Sequence, residues 1–138
     1  MASTATLYTA EVLGLATGLS RYPLSDDLPL RGSARSKSCG SSLELGLALD
    51  SEGRIARIGL KAHACAIGQA SAAIFAAAAE GVTLAQIERA EGEISHWLTD
   101  ASPLPDWPGL GAIAAARDYP ARHGAILLAW RAALMALA

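Results

Sequence analysis

Aromatic residues are scarce in this chain: three Trp, three Tyr and a single Phe, or 5% of its residues. The 52% hydrophobic content is therefore carried largely by Ala and Leu, which points to close helix packing. Cysteine is scarcer still. Two in 138 residues do not make a secreted disulfide framework and suit a reducing compartment. Neither sign of charge dominates: the net charge of −2 gives no electrostatic case for nucleic acid as a partner. Long apolar runs are missing too. Met1 to Leu19 has no basic n-region and is interrupted by Glu11, so no targeting segment is expected. Ala125 to Ala138 contains Arg131 and falls short of the roughly 20 residues a membrane span needs. No Gly-x-Ser-x-Gly elbow, P-loop or dinucleotide fingerprint occurs, and no His/Asp pair is placed to activate a serine. The expectation is one cytoplasmic, soluble domain over residues 1–138 that is not an enzyme in the ordinary sense.

What is present concentrates between Ser36 and Ser71. Leu43, Leu45, Leu47 and Leu49 alternate with Ser42, Glu44, Gly46 and Ala48, a strand with one buried face. Asp50-Ser51-Glu52-Gly53 reads as a turn, and Arg54 to Lys61 as the returning strand. Its apolar residues Ile55, Ile58 and Leu60 switch parity, which predicts a bulge. Cys39 precedes the outgoing strand and Cys65 follows the returning one, so a hairpin brings both to one end of a small sheet. Ile67, Ala70, Ser71, Ile74 and Ala78 then share a helical face, and Gly81 stops the helix. Cys65 falls at or near that helix's N-terminus, where free amides and the dipole favour a thiolate. The competing reading is that both cysteines are ordinary small core residues.

Around this segment, Leu7, Val12, Leu15 and Leu19 predict a helix from Thr6 to Ser20. Arg31 to Ser38 is polar and basic, with Arg31, Arg35 and Lys37; its pattern alone does not mark a strand, and the basic cluster reads as a solvated sheet edge rather than a docking patch. Thr83 and Gln86 form a capping box that opens a helix to about Leu98, with Leu84, Ile87, Ile94 and Leu98 inward. Ser102 to Pro108 is a rigid, proline-rich loop. Leu110 to Arg117 makes a short helix, and Pro120 stands near the start of the last one. Ile126, Leu127, Trp130, Ala133, Leu134 and Leu137 form its buried face. Strands grouped together and helices grouped after them predict an α+β fold.

Ser38-Cys39-Gly40 before a strand, with Cys65-Ala66-Ile67 and Ala70-Ser71-Ala72 after it, resembles the IscU/NifU N-terminal type of iron–sulfur cluster assembly scaffold, closest to its SufU-like branch. Leu7-Tyr8, Tyr119-Pro120-Ala121-Arg122 and Leu128-Ala129-Trp130 extend the resemblance over most of the chain. It implies a three-stranded antiparallel sheet packed against about five helices. It implies Cys39 and Cys65 as ligands of a transient iron–sulfur cluster or of zinc. A cysteine desulfurase-type sulfur donor and acceptor apoproteins are the implied partners. Two further family ligands are absent: Ala125 stands where a third cysteine is expected, and Ser41 where an aspartate is expected.

Two thiolates do not complete four-coordination. His63, two residues before Cys65 at a strand end, is one candidate to join it, since residues two apart on a strand share a face. His123, two residues before position 125, is a second, although two helix positions turn a side chain by about 200°. An external thiol or a symmetric homodimer would also complete the set. Two alternatives remain open. One is an interaction protein that keeps the fold and binds a desulfurase-type partner without assembling a cluster. The other is a two-thiol redox or sulfur-accepting module.

Overall fold

The structure, a computed structural model, describes residues 7–37, 40–100 and 102–138. These form α1 (Ala10–Gly18), β1 (Leu30–Arg35), β2 (Ser42–Leu49), β3 (Ile55–His63), α2 (Ala66–Ala79), α3 (Leu84–Thr99) and α4 (His123–Leu137). Single turns of 3₁₀ helix cover Leu19–Arg21 and Pro120–Arg122, and a longer 3₁₀ segment covers Leu110–Asp118. The class is α+β: one antiparallel sheet in the order β1-β2-β3, with α1 before it and the other helices grouped after it.

The sheet's two faces follow from its register. Leu30, Gly32 and Ala34 of β1 pair with Leu47, Leu45 and Leu43 of β2, and those with Ile58, Leu60 and Ala62 of β3. Directly opposed residues share a face, so this leucine-rich set looks onto the helices. Arg31, Ser33, Arg35, Ser42, Glu44, Lys61 and His63 lie on the other face. The parity switch is explained by a bulge: the β2–β3 register shifts between Ala48 and Leu49, and Leu49 turns outward to 38% exposure. Gly53 takes φ +76° in the turn. There the Asp50 carboxylate accepts hydrogen bonds from the Arg54 and Glu52 amides, which hold its pKa below the usual carboxylate value.

α2 is buried almost all round, from Ile67 to Ala76 apart from the half-buried Gln69, because it runs between the sheet, α1 and α4. Its small residues permit that. Phe75 stacks on Trp107 at 5.3 Å between ring centroids, and both meet Trp130 edge-on at 5.2 and 5.3 Å. The proline-rich loop is thus anchored in the core, and the Trp107 indole N–H donates to the Ile74 carbonyl at 3.1 Å. On the sheet's inner face, α4 lies directly against β1: a Cβ built on Gly32 would stand 2.0 Å from the Ala132 carbonyl oxygen.

Several boundaries differ from expectation. α1 begins at Ala10, because the Thr9 hydroxyl accepts from the Val12 amide at 3.1 Å and caps it there. Thr6, the expected first residue, lies outside the described residues. β3 runs on to His63 and β1 stops at Arg35. The Thr83–Gln86 capping box forms, but Leu84, at the first helical position, precedes the buried stripe and is 37% exposed. Leu134 and Leu137 are only partly buried, while Ala125, Leu128 and Ala129 are buried with Trp130. No helix among the described residues is long and apolar enough to cross a membrane.

Candidate metal site

One end of the fold gathers the residues to which the motifs point. Cys65 is the N-cap of α2, with extended backbone (φ −63°, ψ 170°) and a side chain that makes no capping bond. Its carbonyl accepts from the Gln69 amide at 3.0 Å, while the Gln69 side chain donates to the Ala64 carbonyl at 2.8 Å. The thiol is free and half-buried, and the first turn beside it carries no acidic residue. The first turn of a helix leaves its amides without intrahelical partners, which sets donors at the Cys65 end.

α4 closes on this turn. A Cβ built on Gly68 would lie 2.7 Å from the Ala64 Cβ and 3.2 Å from the Ala125 Cβ. Position 125 therefore faces the helix start one turn beyond Cys65, and it is buried. One turn further on, the Ser71 hydroxyl donates to the Ile126 carbonyl at 2.7 Å, a buried tie between α2 and α4. On the sheet side, Ser36 and Ser41 are both buried, and the Ser36 amide donates to the Ser41 carbonyl at 2.8 Å. Gly124 is in contact with Ser36: a Cβ there would stand 2.4 Å from the Ser36 Oγ. Gly40 takes φ +68°, a conformation glycine adopts freely. Cys39 lies outside the described residues.

The histidines are placed otherwise. β3 ends at His63, which is exposed and pairs with Ser42 on the face turned away from the helices. Cys65 belongs to the helix cap, so the alternation of a strand does not relate the two side chains. His123 opens α4, and its Nε2 lies 2.7 Å from the Arg117 carbonyl oxygen. His96 pairs with Asp100 at 3.3 Å on the exposed side of α3. Among the described residues no group of three or more His, Cys, Asp and Glu side chains could hold a metal ion.

Sequence reasoning missed the role of Gly68 and Gly124, whose missing side chains let α4 approach both α2 and the Ser36–Ser41 closure. The only signal was their position beside the cysteine and tyrosine–proline motifs. A second contact joins two motifs quoted separately: Arg122 donates to the Tyr8 hydroxyl at 3.2 Å.

Comparison with solved structures accounts for this architecture. The N-terminal NifU-like protein of Brucella abortus superposes with a TM-score of 0.86 at 26% identity, over 95% of this chain and 92% of that one. The chain has the IscU/NifU N-terminal-like fold. A protein from Fervidobacterium islandicum, described as an iron–sulfur cluster assembly scaffold for the SUF system, gives a TM-score of 0.84 at 18% identity, over 99% of this chain and all of that one. A hypothetical protein shares the fold at a TM-score of 0.73 and 20% identity. No protein-family model and no curated protein matches the sequence. It is a divergent bearer of the NifU-like fold, with backbone agreement far outrunning side-chain identity.

Proposed function

We propose that this protein is an iron–sulfur cluster assembly scaffold-like protein that holds its cluster, or zinc in its place, through Cys39 and Cys65. The observation that supports this most is the close approach of Ala125 to Gly68, in the first turn after Cys65, where α2 and α4 close, in a fold shared with a NifU-like protein and with a protein described as a cluster assembly scaffold. The described residues supply one free thiol there and no three-ligand group. The remaining ligands come from Cys39 and from outside the chain, as an external thiol or a second protomer. A cysteine desulfurase-type sulfur donor and acceptor apoproteins are the partners this role requires, and the protein carries the cluster without catalysing a reaction of its own.

The test is anaerobic reconstitution with iron and sulfide, read by visible absorbance and by iron and zinc per chain. A charge-transfer band with stoichiometric iron is expected for the wild type and is expected to vanish in Cys39→Ala and in Cys65→Ala. Loading that survives both substitutions would remove the reading.

A further inference from the structure

The sheet's two edges are unlike. The outer edge of β3 is covered: Leu60 donates to the Tyr22 carbonyl at 2.8 Å, Ile55 to that of Val82 at 2.9 Å, and Gly81 to that of Ile55 at 2.8 Å. No such bond covers the outer edge of β1 among the described residues. Its open groups can be identified. The Ser36 amide bonds across to Ser41, and the two peptide directions alternate along a strand. Ser36, Ala34, Gly32 and Leu30 therefore face β2, while Arg31, Ser33 and Arg35 turn their N–H and C=O groups outward. All three are exposed. Beside them lies a recess of about 360 Å³ lined by Arg31, Gly32, Ser33, Glu44, Leu45 and Met135. Met135 is 62% exposed, the most of any large hydrophobic residue among those described.

The charges beside this edge favour one kind of occupant. Arg31 and Arg35 project on the outer face at alternate strand positions, and neither forms an ion pair with a carboxylate among the described residues. The Arg31 guanidinium is steadied by the carbonyls of Leu28 and Ser25, which leave its charge uncompensated. Glu44, one strand away, faces the same side, and the nearby Asp27 carboxylate is taken up by Arg57 at 2.9 Å. A second copy pairing edge to edge about Ser33 would set arginine against arginine on both sides, and like charges directly opposed are destabilising.

We infer that β1 receives an extended acidic segment of a partner protein as a fourth strand. Carboxylates at alternate positions of that segment meet Arg31 and Arg35, and an apolar side chain on its other face covers Met135. The three outward peptide groups supply the backbone bonds, as in other strand-addition complexes. This inference is independent of the scaffold reading, and protein carrying no metal serves to test it.

The probe is the capped peptide acetyl-Val-Glu-Val-Glu-Val-Glu-Val-amide, followed by amide hydrogen exchange and NMR titration. In the free protein the amides of Arg31, Ser33 and Arg35 should exchange much faster than those of Gly32 and Ala34. The peptide should protect the three saturably, and its lysine counterpart should not. Ser33→Pro removes one outward donor and leaves the β2 ladder intact, because edge positions of this kind accept proline. It should weaken the peptide by about tenfold, the effect of one lost hydrogen bond, and Arg31→Glu with Arg35→Glu should reverse the preference between the two peptides. No saturable protection, equal binding of the lysine peptide, or full binding by a folded Ser33→Pro protein would overturn the inference. Protection that grows with protein concentration alone would also overturn it, by assigning the edge to a second copy.

Discussion

Trp130→Ala should lower the free energy of unfolding by about 3–5 kcal/mol, the range for emptying a fully buried large aromatic site. Trp130 is 0% exposed, and its ring meets Phe75 and Trp107 edge-on. Trp107 is also the anchor of the proline-rich loop, so the cavity would loosen three elements at once: α2, α4 and that loop. Such a loss is a large share of the roughly 5–15 kcal/mol that holds a typical domain folded. Trp130→Phe is the informative control. The Trp130 indole N–H is buried without a hydrogen-bond partner among the described residues, so phenylalanine removes an unsatisfied donor while keeping most of the ring contacts. Urea unfolding should show a clearly smaller loss for it than for Trp130→Ala. Equal losses would mean that the indole nitrogen is satisfied and that the ring's shape contributes little.

The second large effect is expected at Gly32. The missing side chain lets β1 lie against the backbone of α4: an added Cβ would stand 2.0 Å from the Ala132 oxygen and 2.6 Å from the Ala136 nitrogen. Both obstacles are main chain and cannot swing aside as a side chain would. Gly32→Ala must push β1 and α4 apart, at a cost near the upper end of the 1–3 kcal/mol typical of overpacking, about 3 kcal/mol. Gly14→Ala provides the contrast. A Cβ at Gly14 meets nothing within 4 Å, and its φ is helical, so alanine there should stabilise α1 by about 0.5–1 kcal/mol. Thermal unfolding of the two variants should move in opposite directions. A neutral Gly32→Ala would contradict the close seating of the last helix on the first strand.

Legibility in the sequence followed how local each signal was. The Leu43–Leu47 alternation, the Asp50–Gly53 turn, the bulge, the Thr83–Gln86 capping box and Cys65 at a helix start are set by neighbours within a few positions, and each is found as expected. Burial set by distant partners was not readable. Nothing near Trp107 reveals that it stacks on Phe75, and nothing in α2's own pattern reveals that three neighbours cover nearly all its faces. Leu84 and Leu134 have the right periodicity, yet they fall where no partner element reaches them fully. The candidate site divides in the same way. Ala125 lies against Gly68 in the first turn after Cys65, whereas β3 gives way to the helix cap between His63 and Cys65, so strand alternation does not relate those two.

The most direct test of the proposed site at the junction of α2 and α4 is to introduce the two ligands that the family resemblance implies at positions 125 and 41, where Ala125 and Ser41 stand. Iron or zinc would be titrated anaerobically into the wild type, Ala125→Cys, and Ala125→Cys with Ser41→Asp, reading bound metal per chain and affinity. Position 125 faces the residue 68 backbone, which carries no side chain to block a thiol. Binding free energies of about 10–16 kcal/mol shared over four ligands correspond to about 3 kcal/mol each, so one added thiolate should tighten binding about a hundredfold. Ser41 is buried, so a carboxylate there should cost stability without metal and regain it with metal. Tighter binding in Ala125→Cys, lost again on adding Cys65→Ala, is the predicted result. An unchanged affinity, or a gain indifferent to Cys65, would contradict a metal site at this end of the fold.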